Sequence, residues 1–365
     1  MAKKNNNSKI REIKYTKLAY EQALINLGST GGNPSVGCVV VKNNSIISSG
    51  YTSLNGRPHA ENNALQKKIN YKGSDVYVTL EPCSHYGKTP PCTEKIINKK
   101  IKRVIFSIAD IDPRSKEKAE KKLREKKISV KKLILKKFAN NFYKSYFLQF
   151  ANKLPFIDAK LAISKDFFSI NKKKKWITNI KSRRLGNFLR SRYDCLLTTS
   201  KTINDDNPLL DCRIEGLEKK TPDVVILDRF FNVKKNSKIF NKNNRRVYIF
   251  TTSFNHSKEI FLKKKGVRVI KLIPKKDTPS DLKNIFNRVK KLGFNRILIE
   301  CGITFMSQVL QYNMIKNFYL FKSSSSLGSK GLNTSNIFYI KKFNLSKKNK
   351  VGVNLNEDIL YKVKI

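Results

Sequence analysis

The sequence predicts an α/β protein made of two layered domains, and three observations carry that expectation. Short apolar runs alternate with amphipathic helical stretches along most of the chain, the pattern of helices packed on a sheet. At 365 residues the chain is long enough for two cores of ordinary domain size, roughly 100–200 residues each. An aromatic but motif-poor stretch, Phe138 to Pro155, separates two alternating sets that share no internal repeat. The expected division is therefore residues 1–152 and 153–365.

The first set opens on a helix from Tyr15 to Leu27, where Leu18, Ala19, Ala23, Leu24 and Leu27 recur at helical spacing. A Gly-Ser-Thr-Gly-Gly turn leads to the apolar strand Val36 to Val41. A polar turn at Lys42 to Ser45 then returns the chain as a second strand, Ile46 to Tyr51. His59 to Lys67 reads as a helix, Val76 to Leu80 as a strand, Thr93 to Asn98 as a helix and Val104 to Ile108 as a strand. Pro113 to Lys127 reads as a highly charged helix. In the second set the expected strands are Phe156 to Ile163, Cys195 to Thr198, Val224 to Leu227, Val247 to Thr251, Val267 to Leu272 and Ile297 to Ile299. Helices are expected at about Ser182 to Arg192, Asp281 to Leu292 and Phe305 to Tyr312. Thr202 to Leu210 reads as a loop with a turn at Asn207-Pro208.

Composition narrows the function classes. With 39% hydrophobic and 10% aromatic residues the chain has a core to bury and is not disordered. No apolar run approaches the roughly 20 residues needed to cross a bilayer, and Met1 to Lys14 lacks the apolar centre of a secretory signal. Six irregularly spaced cysteines do not make a disulfide framework, which points to a reducing, cytoplasmic compartment. The formal charge of +49 would attract any polyanion. Yet only 16 of the 76 cations are Arg, the residue suited to bidentate phosphate and base contacts. The rest are Lys, spread from Lys3 to Lys364 and running with Asn and Ile, as in Lys172 to Lys175 and Asn241 to Asn244. Such drift at tolerant surface positions explains the charge without nucleic acid.

The sharpest chemical signal is Pro58-His59-Ala60-Glu61, followed by Glu81-Pro82-Cys83 and Pro90-Pro91-Cys92. A structural zinc site closes the metal with four protein ligands; this set supplies three, His59, Cys83 and Cys92, and leaves a position for water. Zinc lowers the pKa of such a water from 15.7 to about 7. Glu61, two residues from the His, suits the task of carrying a proton to a leaving amine. This is the logic of the zinc deaminases, H-x-E followed by P-C-x-x-C, with eight residues here between the cysteines. Cys92 opens a helix, where free backbone N–H groups stabilise a thiolate. Cys38, Cys195 and Cys301 fall in or beside apolar strands and read as core. Cys212 carries no signal, His85 either lines the site or is a polar loop residue, and His256 has no role.

Asn33-Pro34-Ser35-Val36-Gly37-Cys38-Val39-Val40-Val41, His59-Ala60-Glu61 and the run from Thr79-Leu80-Glu81-Pro82-Cys83 through His85-Tyr86-Gly87-Lys88-Thr89-Pro90-Pro91-Cys92 resemble the bifunctional riboflavin-biosynthesis deaminase/reductase. The resemblance covers roughly residues 12 to 330. It implies a cytidine-deaminase-like α/β/α first domain acting on a diaminopyrimidinone ribosylamino phosphate. It makes His59, Cys83 and Cys92 the ligands of one Zn2+, Glu61 the proton shuttle and Asn33 a substrate contact. Lys88, or a neighbour in its loop, would face the substrate phosphate.

The second half says less by itself. Arg190 and Arg213 flank the 202–210 segment and could hold a phosphate. Glu300-Cys301-Gly302-Ile303-Thr304 is a strand-to-helix turn suited to a phosphate at a helix N-terminus. The resembled family's reductase half is dihydrofolate-reductase-like and α/β, and matches Lys160-Leu161-Ala162, Trp176-Ile177-Thr178, Thr202 through Asp206 to Arg213, and Glu300-Cys301-Gly302 with Thr304. By that resemblance Ala162, Trp176, Thr202, Asp206 and the turn Gly302, Ile303 and Thr304 contact NADPH. Lys160, Arg190, Leu210, Arg213 and Glu300 face the substrate, whose ring-opened ribose imine receives a hydride.

The chain departs from that family mainly in this half. Phe167 stands where the family has Gly, Lys172 to Lys175 replace small and polar residues, and Ser324 replaces Pro. In the first half Thr52 replaces a His, and a Gly-x-Gly segment after Asp112-Pro113 is missing. The leading expectation is a bifunctional enzyme of riboflavin biosynthesis, a zinc hydrolase joined to an NADPH-dependent oxidoreductase. Its competitors are a deaminase carrying a decayed reductase, a nucleic-acid deaminase and a basic nucleic-acid-binding protein. The sequence leaves a homo-oligomer open.

Overall fold

The structure is a computed structural model that describes residues 2–132, 134–151, 154–241, 244–343 and 345–365, with side chains from residue 8 onward. The chain forms two compact units, Met1–Lys153 and Leu154–Ile365. The expected boundary falls on residues 152 and 153, which lie outside the described residues, as do Lys242 and Asn243 of the Asn-rich run.

The first unit carries α1 (Ala2–Ile25), β1 (Gly37–Lys42), β2 (Ser45–Tyr51), α2 (Ala60–Ala64), β3 (Asp75–Val78), α3 (Cys92–Asn98), β4 (Arg103–Phe106), α4 (Lys118–Glu125), β5 (Ser129–Lys132), α5 (Lys136–Phe142) and α6 (Lys144–Phe150). Its five strands are ordered β2-β1-β3-β4-β5. The β1 strand runs antiparallel to both β2 and β3, and β3, β4 and β5 run parallel. Alternation along the strands sorts the apolar side chains onto two covered faces, which is why Val39-Val40-Val41 is apolar throughout. Val39, Val41, Tyr77 and Ile105 meet Tyr15 and Ala19 of α1 on one face. On the other face Cys38, Val40, Val76, Val78, Val104 and Phe106 meet Ala60 and Ala64 of α2, Ile96 of α3 and Leu123 of α4.

Two glycines set how closely helices approach this sheet. A Cβ on Gly37 would lie 1.8 Å from the Ala19 carbonyl oxygen, and one on Gly50 would lie 2.5 Å from the Ala60 carbonyl oxygen. The second contact fixes α2, and with it the residues around His59, directly over β2.

Several expectations are corrected here. The first helix starts far earlier than Tyr15, and the helices expected over 59–67 and 113–127 shrink to Ala60–Ala64 and Lys118–Glu125. In the latter the residues before 118 form turns that satisfy Glu81, described below. The edge strand β5 escapes sequence reading because only Val130 of its four residues is buried. The aromatic stretch near the boundary is two helices joined at Tyr143, and Ala139, Tyr143 and Tyr146 join the core.

The second unit carries β6 (Phe156–Ile163), β7 (Ile170–Asn171), α7 (Ile180–Arg190), β8 (Cys195–Thr199), α8 (Ser200–Asp206), β9 (Asp223–Leu227), β10 (Val247–Thr251), α9 (His256–Lys264), β11 (Val267–Lys271), α10 (Thr278–Lys291), β12 (Arg296–Glu300), α11 (Ile303–Gln311), β13 (Asn317–Lys322), β14 (Gly331–Leu332), α12 (Phe338–Lys341) and β15 (Ile359–Lys364). The eight-stranded sheet is ordered β11-β10-β9-β8-β12-β6-β13-β15, parallel except for β15, and β7 pairs with β14 separately. Leu282, Ile285, Phe286 and Val289 of α10, spaced at 3, 1 and 3 residues, form its buried stripe. Asp277 caps this helix by accepting the Ser280 N–H at 2.9 Å.

The segment expected as a loop, Thr202 to Leu210, begins as helix α8. Thr199 caps it, its hydroxyl accepting the Thr202 N–H at 3.4 Å, and Asn207 at φ 43° ends it. The polar run Asn-Asp-Asp-Asn looked like a turn because it is the exposed end of a short capped helix. Helix α9 and strands β13 and β15 were not expected; β15 is the returning tail, which pairs with β13.

Candidate functional site

In the first unit His59 is the residue just before α2 and Cys92 opens α3, so two helix starts carry two of the three candidate ligands. Cys83 comes from the loop after β3. The His59 Nδ1 lies 3.5 Å from each sulfur, and the three donor atoms all fall within 4.8 Å of one another. The edges of a tetrahedron around a cation with ligand bonds near 2.0–2.3 Å are about 3.5 Å long, so one nitrogen and two sulfurs fit zinc. The Cys92 N–H donates to the Cys83 sulfur at 3.3 Å. Hydrogen bonding from Cys92, together with that from His59, pulls the Cys83 thiol down to about 4 against its burial. Cys92 is pushed up by the same sulfur–sulfur hydrogen bond and by burial.

Glu61 lies in the first turn of α2 and is 3% exposed. Burial, followed by the neighbouring Cys83 thiolate, raises its carboxyl to about 7. A carboxyl poised there can both accept and release a proton near neutrality. Asn33 packs against Gly56, three residues before His59. Gly56 stands at φ 88°, and a Cβ on it would strike the Asn33 amide nitrogen at 2.3 Å. Lys88 is exposed on the Cys83–Cys92 loop.

Sequence reading missed how that loop is held. The buried Glu81 carboxylate accepts three backbone N–H groups at 3.0 Å, from Asp110, Glu117 and Ala119. His85 Nδ1 meets the Ser115 hydroxyl at 2.7 Å, and Lys122 donates to the Ser84 carbonyl at 2.7 Å. The segment 110–122 thus braces the Cys83–Cys92 loop. The only local hint is a carboxylate beside a Pro-Cys pair, since all three partners lie about 30 residues or more downstream.

In the second unit five of the expected residues gather. Lys160 on β6 and Glu300 on β12 are register partners on adjacent parallel strands. Arg190, at the end of α7, donates to Glu300 through Nε at 2.7 Å and Nη2 at 3.0 Å, and Lys160 Nζ stands 3.9 Å from the same carboxylate. Burial, then the Arg190 charge, lowers the Lys160 ammonium below its ordinary value. Glu300 stays below the usual carboxylate range because Arg190 outweighs its burial. Arg190 also donates to the Asp211 carbonyl at 3.0 Å, and Arg213 pairs with the Asp211 carboxylate at 3.3 Å. Leu210 is buried at φ 53°. Its carbonyl accepts from Arg245 at 2.8 Å, a residue that carried no signal because it precedes β10 in a basic run.

The remaining expected residues sit as follows. Ala162 is on β6. Trp176 is half exposed, with the Arg183 guanidinium 4.6 Å and the Lys175 ammonium 5.5 Å from its ring centre. Lys175 donates to the Asp206 carbonyl at 3.3 Å, tying the Trp176 loop to the end of α8. Thr202 is in the first turn of that helix. Gly302 precedes α11 with no atom within 4 Å of where a Cβ would stand. The Ile303 side chain is fully buried, so only its backbone could meet a ligand, while Thr304 is exposed and bonds Thr334 at 3.1 Å.

Comparison with known proteins agrees with both units. Residues 10–108 match the cytidine and deoxycytidylate deaminase zinc-binding region, and residues 155–348 match the RibD C-terminal domain. The riboflavin biosynthesis protein RibD of Aquifex aeolicus is 34% identical over 87% of this chain and 89% of that protein. The chain belongs to the RibD family. RibD of Buchnera aphidicola is 32% identical over 95% of this chain and 97% of its own. Among solved structures, RibD of Acinetobacter baumannii superposes with a TM-score of 0.81 at 26% identity, covering 98% of this chain and 99% of that one. A Thermotoga maritima diaminohydroxyphosphoribosylaminopyrimidine deaminase/5-amino-6-(5-phosphoribosylamino)uracil reductase gives 0.78 at 28% identity, with the same coverage. The chain is therefore an enzyme of two joined parts, a deaminase of the zinc-binding class and a RibD-type reductase. No helix is long and apolar enough to cross a membrane among the described residues.

Proposed function

We propose that the first unit hydrolytically deaminates 2,5-diamino-6-(5-phosphoribosylamino)pyrimidin-4(3H)-one, and that the second reduces the ribosyl side chain of the product to ribityl with NADPH. The observation that carries the reading is the convergence of His59, Cys83 and Cys92 beside the buried Glu61. Zinc held by those three donors would supply a Lewis acid that makes water nucleophilic near neutral pH. Glu61 takes the proton from the attacking water and passes it to the departing amine, so that water and amine become carbonyl and ammonia. Burial of Glu61 keeps bulk water from short-circuiting this transfer.

In the second unit NADPH would supply the hydride for C1′ of the ring-opened imine. Lys160, with its ammonium weakened by burial, sits where it can give a proton to a developing amine or hydroxyl. Glu300 and Arg190 hold it in place. Trp176, exposed and flanked by two cations, suits a planar anionic cofactor. Six free cysteines fit a reducing, cytoplasmic compartment.

The test is incubation of the zinc-loaded chain with the diaminopyrimidinone, with and without NADPH, followed by mass analysis. Deamination alters the substrate mass by about +1 and reduction adds about +2. Glu61→Gln keeps its zinc and loses the first step. Trp176 is the single Trp, so NADPH binding is read separately as energy transfer from its fluorescence. Oxidation of NADPH by the deaminated product excludes a decayed reductase; its absence, with the first step intact, establishes one.

A further inference from the structure

In the first unit the pairing of β1 with β3 ends just where the substrate-facing end of the sheet begins. The two strands run antiparallel with Cys38 opposite Val78, so the ladder continued would set residue 37 against 79 and residue 35 against 81. The Thr79 N–H still donates to the Gly37 carbonyl at 3.1 Å. Beyond it the strands part, because the Glu81 N–H turns to the Ile108 carbonyl at 3.0 Å. The Ser35 carbonyl and the Gly37 N–H must then be satisfied by something other than the neighbouring strand.

Two hydroxyls do this. The Gly37 N–H donates to the Thr79 hydroxyl oxygen at 3.1 Å, that hydroxyl meets the Tyr143 phenol at 2.5 Å, and the Tyr143 hydroxyl donates to the Ser35 carbonyl at 3.2 Å. A phenol has one proton and a carbonyl can only accept, so the Thr79 hydroxyl is the donor to Tyr143. Burial pushes the Tyr143 phenol well above its ordinary value, which keeps that proton in place. Each hydroxyl gives one bond and takes one, in a chain that starts and ends on residues 35–37. Ser35, Thr79 and Tyr143 are all buried, where water cannot replace a lost partner.

The other edge of the segment is held as well. The Val36 N–H donates to the Thr52 hydroxyl and the Thr52 N–H to the Val36 carbonyl, both at 2.9 Å. Residues 35–37 are therefore gripped from both sides, and Asn33, the expected substrate contact, is separated from the grip only by the stiff Pro34. Tyr143 stands where α5 meets α6, beyond the zinc-binding region matched over residues 10–108.

We propose that Tyr143 is a positioning residue of the deaminase unit: its hydroxyl fixes the 35–37 backbone where β1 and β3 part, and so sets Asn33 for the substrate. The proposal rests on the deaminase reading above and adds to it a residue that acts through the backbone, not on the reacting atoms.

The experiment is steady-state ammonia release by the zinc-loaded full chain, with zinc content and urea midpoint measured on each variant. In Tyr143→Phe, which removes one oxygen and keeps the ring, KM for the diaminopyrimidinone rises about tenfold, while kcat stays within about twofold and zinc stays bound. Thr79→Val breaks the same chain and gives the same split, whereas Thr79→Ser keeps the hydroxyl and the wild-type KM. Tyr143→Phe combined with Thr79→Val raises KM by less than the product of the two single factors, since either change alone breaks the chain. Should Tyr143→Phe lose its zinc and fail to fold, the Val and Ser variants at position 79 carry the comparison, and equal KM in the two overturns the proposal. A lowered urea midpoint with KM unchanged makes Tyr143 a core residue only and overturns it, as does a double variant whose factors multiply. A wild-type chain that releases no ammonia overturns the deaminase reading itself, and the proposal with it.

Discussion

Arg190 grips both carboxylate oxygens of Glu300, at 2.7 and 3.0 Å, inside the second unit, with both side chains about nine-tenths buried. The pair is the anchor on which Lys160 is positioned. Removing one member leaves a buried charge uncompensated. Arg190→Ala is expected to lower the stability of the second unit by roughly 3–5 kcal/mol, and Arg190→Met with Glu300→Gln together by less than either change alone. Urea unfolding of the four variants, the three single changes and the double, checks this, and additive losses would show that the two groups act independently.

Lys160→Met keeps most of the side-chain volume and removes the ammonium. The expected outcome is a fall of about 10²–10⁴ in kcat for the reduction with NADPH affinity little changed. Single-turnover NADPH oxidation, followed beside the Trp176 fluorescence titration, separates the two quantities.

Each of Cys83→Ala and Cys92→Ala leaves two of the three proposed zinc ligands. Metal analysis is expected to fall from about one zinc per chain to a small fraction of that. Deamination falls with it while the reduction of supplied intermediate persists, because the ligands belong wholly to the first unit. Parallel loss of both activities would contradict this division of labour.

Asp158 is fully buried on β6, where it accepts the Tyr193 hydroxyl at 2.5 Å and the Asn317 side-chain amide at 2.7 Å. Burial raises its carboxyl above the ordinary range. An acid raised in the folded state binds its proton more tightly there than in the unfolded chain. Its effect on stability is therefore unfavourable as pH rises above about 4 and through the folded value. Asp158→Asn is expected to flatten the fall in urea midpoint as pH rises above about 4. An unchanged slope would mean that other groups set it.

Phe167 holds φ 69°, a left-handed conformation, at the position where the resembled family has Gly. Its ring lies 4.2 Å from the Lys322 ammonium. Phe167→Ala loses the ring and keeps the strain, whereas Phe167→Gly loses the ring and relieves it. Gly is expected to be more stable than Ala here by roughly 1 kcal/mol, measurable as the difference of two thermal unfolding curves.

Legibility followed distance along the chain. The strand from Phe156 to Ile163 and the helix over 278–291 could be read because their periodicity is local. The charge of +49, by contrast, directed attention to polyanions, and only a few of those cations are held at the candidate sites. Elements of low apolar content are the ones missed: β5 gives no strand signal, and α8 reads as a loop, since an edge strand and a capped helix end both present polar surfaces.

The sequence by itself determined that this is an α/β protein with a His-x-Glu and two Pro-Cys pairs, because residue identity fixes which atoms can bind zinc or move a proton. The tertiary structure alone decided which cations stand beside which acceptors. Arg190 meets Glu300 across 110 residues, and Arg57 meets Thr89 across 32. Neither partner can be chosen from spacing, since any Lys or Arg of a chain this basic could have served, and only the sheet register and the turn of a loop bring these particular ones together.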